Sequence, residues 1–190
     1  MSSIKKIVDT IDKSVNGFMD KVPSIQKKIY AEIIILTKDL KLDSKGNIKN
    51  TIDNYRILSQ LKTRLRNVIF DKQYIKTSKE LISSYDEISK VQKDYFATFA
   101  TSPSSTTQEI LNIVRQESIA QTVLYLSEQG VDINIISKAQ TILQSNITSG
   151  GSYADFQDAM KVYIQGNKEN LGAFEKYANT IVTDSINTYS

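Results

Sequence analysis

The 190-residue chain contains no cysteine, no histidine and no tryptophan. Without cysteine there is no disulfide and no thiolate, so stability rests on packing. Without histidine the chain lacks the side chain best matched to acid–base work near neutrality, and zinc and most transition metals lose their usual ligand. Proline occurs only at Pro23 and Pro103, and glycine seven times. That scarcity of breakers favours long helices. No apolar run approaches the roughly 18–20 residues of a membrane span. The most apolar stretch, Ile33-Ile34-Ile35-Leu36, is closely flanked by Glu32 and Lys38. The N-terminus, Met1-Ser2-Ser3-Ile4-Lys5-Lys6, lacks the apolar region and cleavage site of a signal peptide, which predicts synthesis in the cytosol.

What is present is ordinary for a folded chain: 40% hydrophobic and 24% charged residues. The charge is unevenly laid out. Residues 1–100 carry 19 Lys/Arg against 12 Asp/Glu, and residues 101–190 carry 5 against 9, within a net charge of +3. A basic half and an acidic half attract one another or face different partners.

Apolar residues recur at spacings of three and four along almost the whole chain, the signature of amphipathic helices. The first helix is marked by Ile4, Ile7, Val8, Ile11, Val15 and Phe18, and Pro23 ends or redirects it, with Ser24 as candidate cap for the next. The second runs to about Leu40. Asp43-Ser44-Lys45-Gly46-Asn47 reads as a turn; as a calcium loop it fails, because Lys45 takes the third position and Gly46 arrives two residues early. A third helix is capped near Asn50 or Thr51, and a fourth starts at about Asp71. Thr101 to Thr107, small polar residues around Pro103, reads as a linker. Beyond it, Ile110, Ile113, Val114, Ala120, Val123 and Leu124 mark a fifth helix and Gly130 its left-handed end. Asp132 reads as the cap of a sixth helix. Gly150-Gly151 breaks the chain, Ser152 and Asp155 have capping-box spacing, and a seventh helix stops at Gly166. The eighth runs through Phe174, Tyr177, Ile181, Ile186 and Tyr189 and meets no stop signal by Ser190, so the chain either continues or has its end held by a partner. The pattern predicts an all-α, multi-helix bundle of about eight helices in two lobes: a basic lobe at 1–100, the linker at 101–107 and an acidic lobe at 108–190.

Chemistry is sparse. The acidic residues form isolated pairs such as Asp86-Glu87 on different helix faces. Ser149-Gly150-Gly151-Ser152 precedes a helix but lacks the lysine and spacing of a phosphate loop, and reads as a capping turn. The expectation is a non-enzymatic protein with no cofactor and no membrane contact, since its polar faces mix both signs. Two surfaces stand out. Lys62, Arg64, Arg66, Lys72, Lys76 and Lys79 fall where the third and fourth helices meet and suit contact with nucleic-acid phosphates. Tyr95, Phe96 and Phe99, with Ile186 and Tyr189 near the C-terminus, are candidate partner-docking residues.

The most individual block is Asn146-Ile147-Thr148-Ser149-Gly150-Gly151-Ser152-Tyr153, followed by two short amphipathic segments. With Gly130-Val131-Asp132 opening a short helix before it and Ala178-Asn179-Thr180-Ile181-Val182-Thr183-Asp184-Ser185-Ile186-Asn187 closing after it, residues 118–190 resemble the minor head, or head-morphogenesis, proteins of tailed bacteriophages. The closing motif departs from that family, having Val182-Thr183 and Asp184 where arginine and glutamate are usual. The preceding helices with their Leu42–Asn50 turn are similar to structural proteins of phages infecting Bacteroidetes-type hosts. The resemblance implies a virion component, synthesised in the host cytoplasm and present in multiple copies, docked to portal, capsid or neck proteins with its basic corner toward packaged DNA. The competing readings are a cellular helical adaptor and a nucleic-acid-associated helical protein.

Overall fold

A computed structural model describes residues 3–97 and 105–182. The protein is all-α. Its helices are α1 (Ser3–Met19), α2 (Val22–Thr37), α3 (Ile52–Ile69), α4 (Lys72–Ala97), α5 (Ser105–Leu126), α6 (Glu128–Val131), α7 (Ser137–Ser149), α8 (Tyr153–Gln165) and α9 (Ala173–Ile181), with a π-turn at Asp132–Ile136 leading into α7. Extended pairing among the described residues is confined to the isolated bridges Leu42–Ile48, Asn47–Ser152 and Gly166–Leu171. None of the described helices is long and apolar enough to cross a membrane.

Contacts divide the chain into two compact units, each discontinuous in sequence. One comprises residues 1–20, 72–127 and 178–190; the other comprises 21–71 and 128–177. Each therefore draws on both sides of the 101–107 segment, a different partition from the lobes at 1–100 and 108–190. Residues 101–104 lie outside the described chain, and Ser105–Thr107 already form the first turn of α5.

In the first unit, α1 and α5 both pack along α4. Phe18, Tyr74, Leu81, Tyr85, Ile88 and Leu126 are buried. The buried aromatic hydroxyls are satisfied: Tyr74 donates to the Leu126 carbonyl at 3.0 Å, and Tyr85 pairs with Thr122 Oγ1 at 2.7 Å. Here the sequence reading needs correction. Ile110, Ile113, Val114, Val123 and Leu124 are exposed, as is Ala120. The inner side of α5 instead carries Thr122 and Leu126, with Leu111, Arg115, Ser118 and Ile119 half-buried.

The second unit packs α2 against α3 and α8, and α7 against α3 and α8. Its core is Ile29, Ile33, Leu61, Leu65, Ile69, Ile135, Leu143, Ile147, Phe156 and Met160, all essentially inaccessible. Several boundaries follow expected chemistry. Thr51 caps α3 by accepting from the Asn54 amide at 3.4 Å, and Ser152 caps α8 by accepting from that of Asp155. Gly150 ends α7 in the left-handed conformation, φ 68°. Others differ. Ser24 does not cap α2: the helix starts at Val22 and Pro23 sits in its first turn, where a missing N–H breaks no helical bond. The second helix ends at Thr37, not Leu40. Gly130 is not a left-handed terminator but a buried residue inside α6. Asp132 opens the π-turn without a side-chain cap; its carboxylate is engaged elsewhere.

Candidate functional site

The six expected phosphate-contacting residues divide between the two units. In the second, all three are ion-paired. Lys62 lies 2.8 Å from Asp132 Oδ2, and Arg64 lies 3.2 Å from Glu32. Arg66 grips Asp132 with two donors, Nε to Oδ1 at 2.9 Å and Nη2 to Oδ2, and reaches Glu128 at 3.1 Å. The Arg66 hydrogen bonds, aided by Lys62, hold the Asp132 carboxyl below the usual carboxylate range against the opposing effect of burial. Lys62 and Arg66 therefore brace the segment around the π-turn, while Arg64 ties α3 to α2.

That turn has further supports. Its closing i→i+5 bond runs from the Ser137 amide to the Asp132 carbonyl, which also accepts from Ser137 Oγ at 2.8 Å. Asn134 Nδ2 donates to the Gly130 carbonyl at 2.8 Å, and Tyr163 Oη to that of Ile135 at 2.8 Å. Burial pushes the Tyr163 phenol well above its ordinary range, so it remains a donor. π-turns recur at functional sites, but the polar groups here are spent on backbone and on one another.

In the first unit, Lys72, Lys76 and Lys79 do come together. With Lys13 of α1 they border an open groove of about 920 Å³ between α1 and α4, floored by Phe18, Ile75 and Thr77 and also lined by Glu80 and Glu87. A Cβ added at Gly17 would meet nothing within 4 Å, so the groove is open there. Its hydroxyls are turned to their own helices: Ser14 to the Thr10 carbonyl, Thr77 to that of Gln73, Ser83 to that of Lys79 and Ser84 to that of Leu81. The lysines dominate its electrostatics. Lys76 stands 3.8 Å from Glu80 with both side chains largely exposed, and among the described residues Lys13, Lys72 and Lys79 have no acidic group at ion-pair distance. Lys13 is distant in the chain from the other three, and α1 mixes it with Asp9 and Asp12, so no local signal joined it to them.

Of the candidate docking residues, Tyr95 and Phe96 fall on the last turn of α4, where the backbone alone is described, and Phe99, Ile186 and Tyr189 lie outside the described residues.

Two of the segments that carry the family resemblance, Leu42–Asn50 and Thr148–Tyr153, meet in the second unit, whereas Ala178–Val182 of the closing segment fall in the first and residues 183–187 lie outside the described residues. Asp43 organises Leu42–Asn50 by accepting from the amides of Lys45 and Asn47 at 2.8 and 2.9 Å and from Asn47 Nδ2 at 3.0 Å. These bonds, those of Asn47 foremost, lower its carboxyl pKa. Asn54, fully buried, ties down the flanks. Its Oδ1 accepts from the Lys41 amide at 2.8 Å, and its Nδ2 donates to the Lys41 and Lys49 carbonyls at 3.0 and 2.7 Å. The loop so formed clasps the Gly-Gly turn: the Ile48 amide donates to the Gly151 carbonyl at 2.9 Å, and the Tyr153 amide to that of Gly46 at 3.1 Å.

No family model, curated protein or solved structure matches the chain.

Proposed function

We propose that the chain is a structural, non-enzymatic component of a tailed-phage virion, a minor head or portal- and neck-associated protein working through helix-mediated contacts. The observation that carries this reading is the clasp between residues 41–50 and 148–153. The Gly-Gly turn of the 118–190 block and the Leu42–Asn50 turn, each part of a resemblance to phage structural proteins, are joined through backbone hydrogen bonds into one substructure. The reading is also favoured by where the polar groups go. Asp43, Asn54, Asp132 and Tyr163 are committed to amides, carbonyls and cations that hold segments together, as suits an assembly part that must present fixed surfaces.

Quantitative mass spectrometry of gradient-purified particles, measured against the major capsid protein, tests this. The expected result is a fixed, low stoichiometry of this chain in intact virions. Its absence from intact particles would remove the virion role and leave a cellular helical adaptor as the better account.

A further inference from the structure

Helix α5 is apolar on two opposite sides. At 100° per residue, its inward set (Leu111, Arg115, Ser118, Thr122, Leu126) and a second set centred on Ile110, Ile113, Val114 and Leu124 point in nearly opposite directions. The second set is exposed: 55% for Ile110, 51% for Ile113, 38% for Val114 and 48% for Leu124. Single exposed aliphatics need no explanation, but a stripe at i, i+3, i+4 spacing is the pattern of a helix that is covered. Glu117 lies on the same face, one heptad beyond Ile110, and Glu109 lies at its edge; both are exposed. The stripe is therefore apolar with acidic marks.

The same unit carries the converse surface. The α1–α4 groove combines an apolar floor with four lysines against two glutamates. Its Ile75 is 44% exposed, again an aliphatic side chain without cover. An amphipathic helix seats its apolar face in such a groove, and opposite charges at the margins set its register. The two surfaces match in chemistry: aliphatic to aliphatic, glutamates to lysines.

We infer that the acid-marked stripe of α5 from one copy docks in the lysine-bordered α1–α4 groove of a second copy. Because the two patches differ, a single contact leaves one patch free on each copy. Repetition produces a closed ring, of which a reciprocal two-fold dimer is the smallest, or an open filament. The contact stands whether or not the chain belongs to a phage particle.

The test uses the full chain in sedimentation velocity over a concentration series at low and high salt. Wild type is expected to self-associate, less so at high salt as the charged margin is screened. A stripe variant, Ile110→Asn with Ile113→Asn, and a groove variant, Lys76→Glu with Lys79→Glu, are each expected to raise the midpoint of association by about tenfold or more. All four positions are exposed, so circular dichroism and the urea midpoint are expected to stay near wild type; Lys76→Gln with Lys79→Gln provides a milder groove variant. The diagnostic measurement is the mixture. The groove variant keeps an intact stripe and the stripe variant an intact groove, so together they form a 1:1 complex that does not grow. A wild type that stays monomeric at every concentration overturns the inference, as does association untouched by both variants. A monomeric wild type that binds short duplex DNA through Lys76 and Lys79 also overturns it and assigns the groove to polyanions.

Discussion

The guanidinium of Arg66 holds both carboxylate oxygens of Asp132, sixty-six residues further along the chain. Asp132 is at the entrance of a π-turn and Arg66 in the last turn of α3, so one ion pair fixes where the irregular stretch begins. Charge-assisted, two-pronged pairs of this kind restrict angle as well as distance.

Asp132→Asn is expected to lower stability by about 1–2 kcal/mol at neutral pH, a moderate loss because Arg66 keeps some solvent exposure. The pH dependence follows from the depressed carboxyl. In the acid range the unfolded chain binds the proton first, so the contribution of Asp132 is complete above its ordinary pKa near 4 and is lost as pH falls through the lower folded value. Urea midpoints between neutrality and strong acid are expected to fall more steeply in wild type than in Asp132→Asn.

Asn54→Ala removes at once the side-chain acceptor of the Lys41 amide and the side-chain donor to the Lys41 and Lys49 carbonyls. The expected loss is about 2–3 kcal/mol. Hydrogen exchange is the sharper measurement: the amides of Lys41, Ile48 and Tyr153 are expected to lose protection well beyond those of α4, because the clasp on the Gly-Gly turn depends on the loop that Asn54 holds.

Two glycines with positive φ separate conformational cost from steric cost. At Gly150, φ 68°, the nearest atom to an added Cβ is the Ile48 carbonyl oxygen at 3.8 Å. Gly150→Ala therefore costs only the left-handed penalty, about 1 kcal/mol. At Gly166, φ 78°, a Cβ would overlap the Asn170 carbonyl oxygen and come within 2.6 Å of the Gly172 amide nitrogen. Gly166→Ala is expected to cost more than twice as much and to disturb the 166–171 bridge, which urea titration of the two variants side by side will reveal.

Tyr85 and Thr122 share a buried hydroxyl pair across α4 and α5. Tyr85→Phe and Thr122→Val are each expected to destabilise by about 1–2 kcal/mol. Their double variant is expected to lose less than the sum, since one partner's deletion already forfeits the bond.

Much of the helical framework was legible because its signals are local. Thr51, Ser152, Gly150 and Gly166 each act within a few residues of themselves, through a hydroxyl that meets a free amide or a backbone that needs positive φ. The misread positions depend on what lies opposite. Spacing identified α5 as a helix, but a helix with aliphatics on two sides does not announce which side is inward. Asp132 carries the residue type of a cap and serves as the seat of an ion pair whose other half is on α3. Lys62, Arg64 and Arg66 form a basic cluster along the chain, and only their distant acidic partners reveal the neutralisation. Lys13 joins Lys72, Lys76 and Lys79 through packing of α1 on α4, a relation that no local window contains.

The division of the chain into interleaved units bears on how the protein comes into being. The backbone passes from one unit to the other at residues 20–21, 71–72, 127–128 and 177–178, so neither is finished when any single stretch leaves the ribosome. The first twenty residues must wait for α4 to emerge, and α2 and α3 must wait for α7 and α8. Each unit waits for a stretch that follows part of the other, so the two mature interleaved. A ribosome that stalls within α3 leaves both cores unfinished, α1 without α4 and α2 and α3 without α7 and α8, and each displays the apolar faces that the missing helices would have covered.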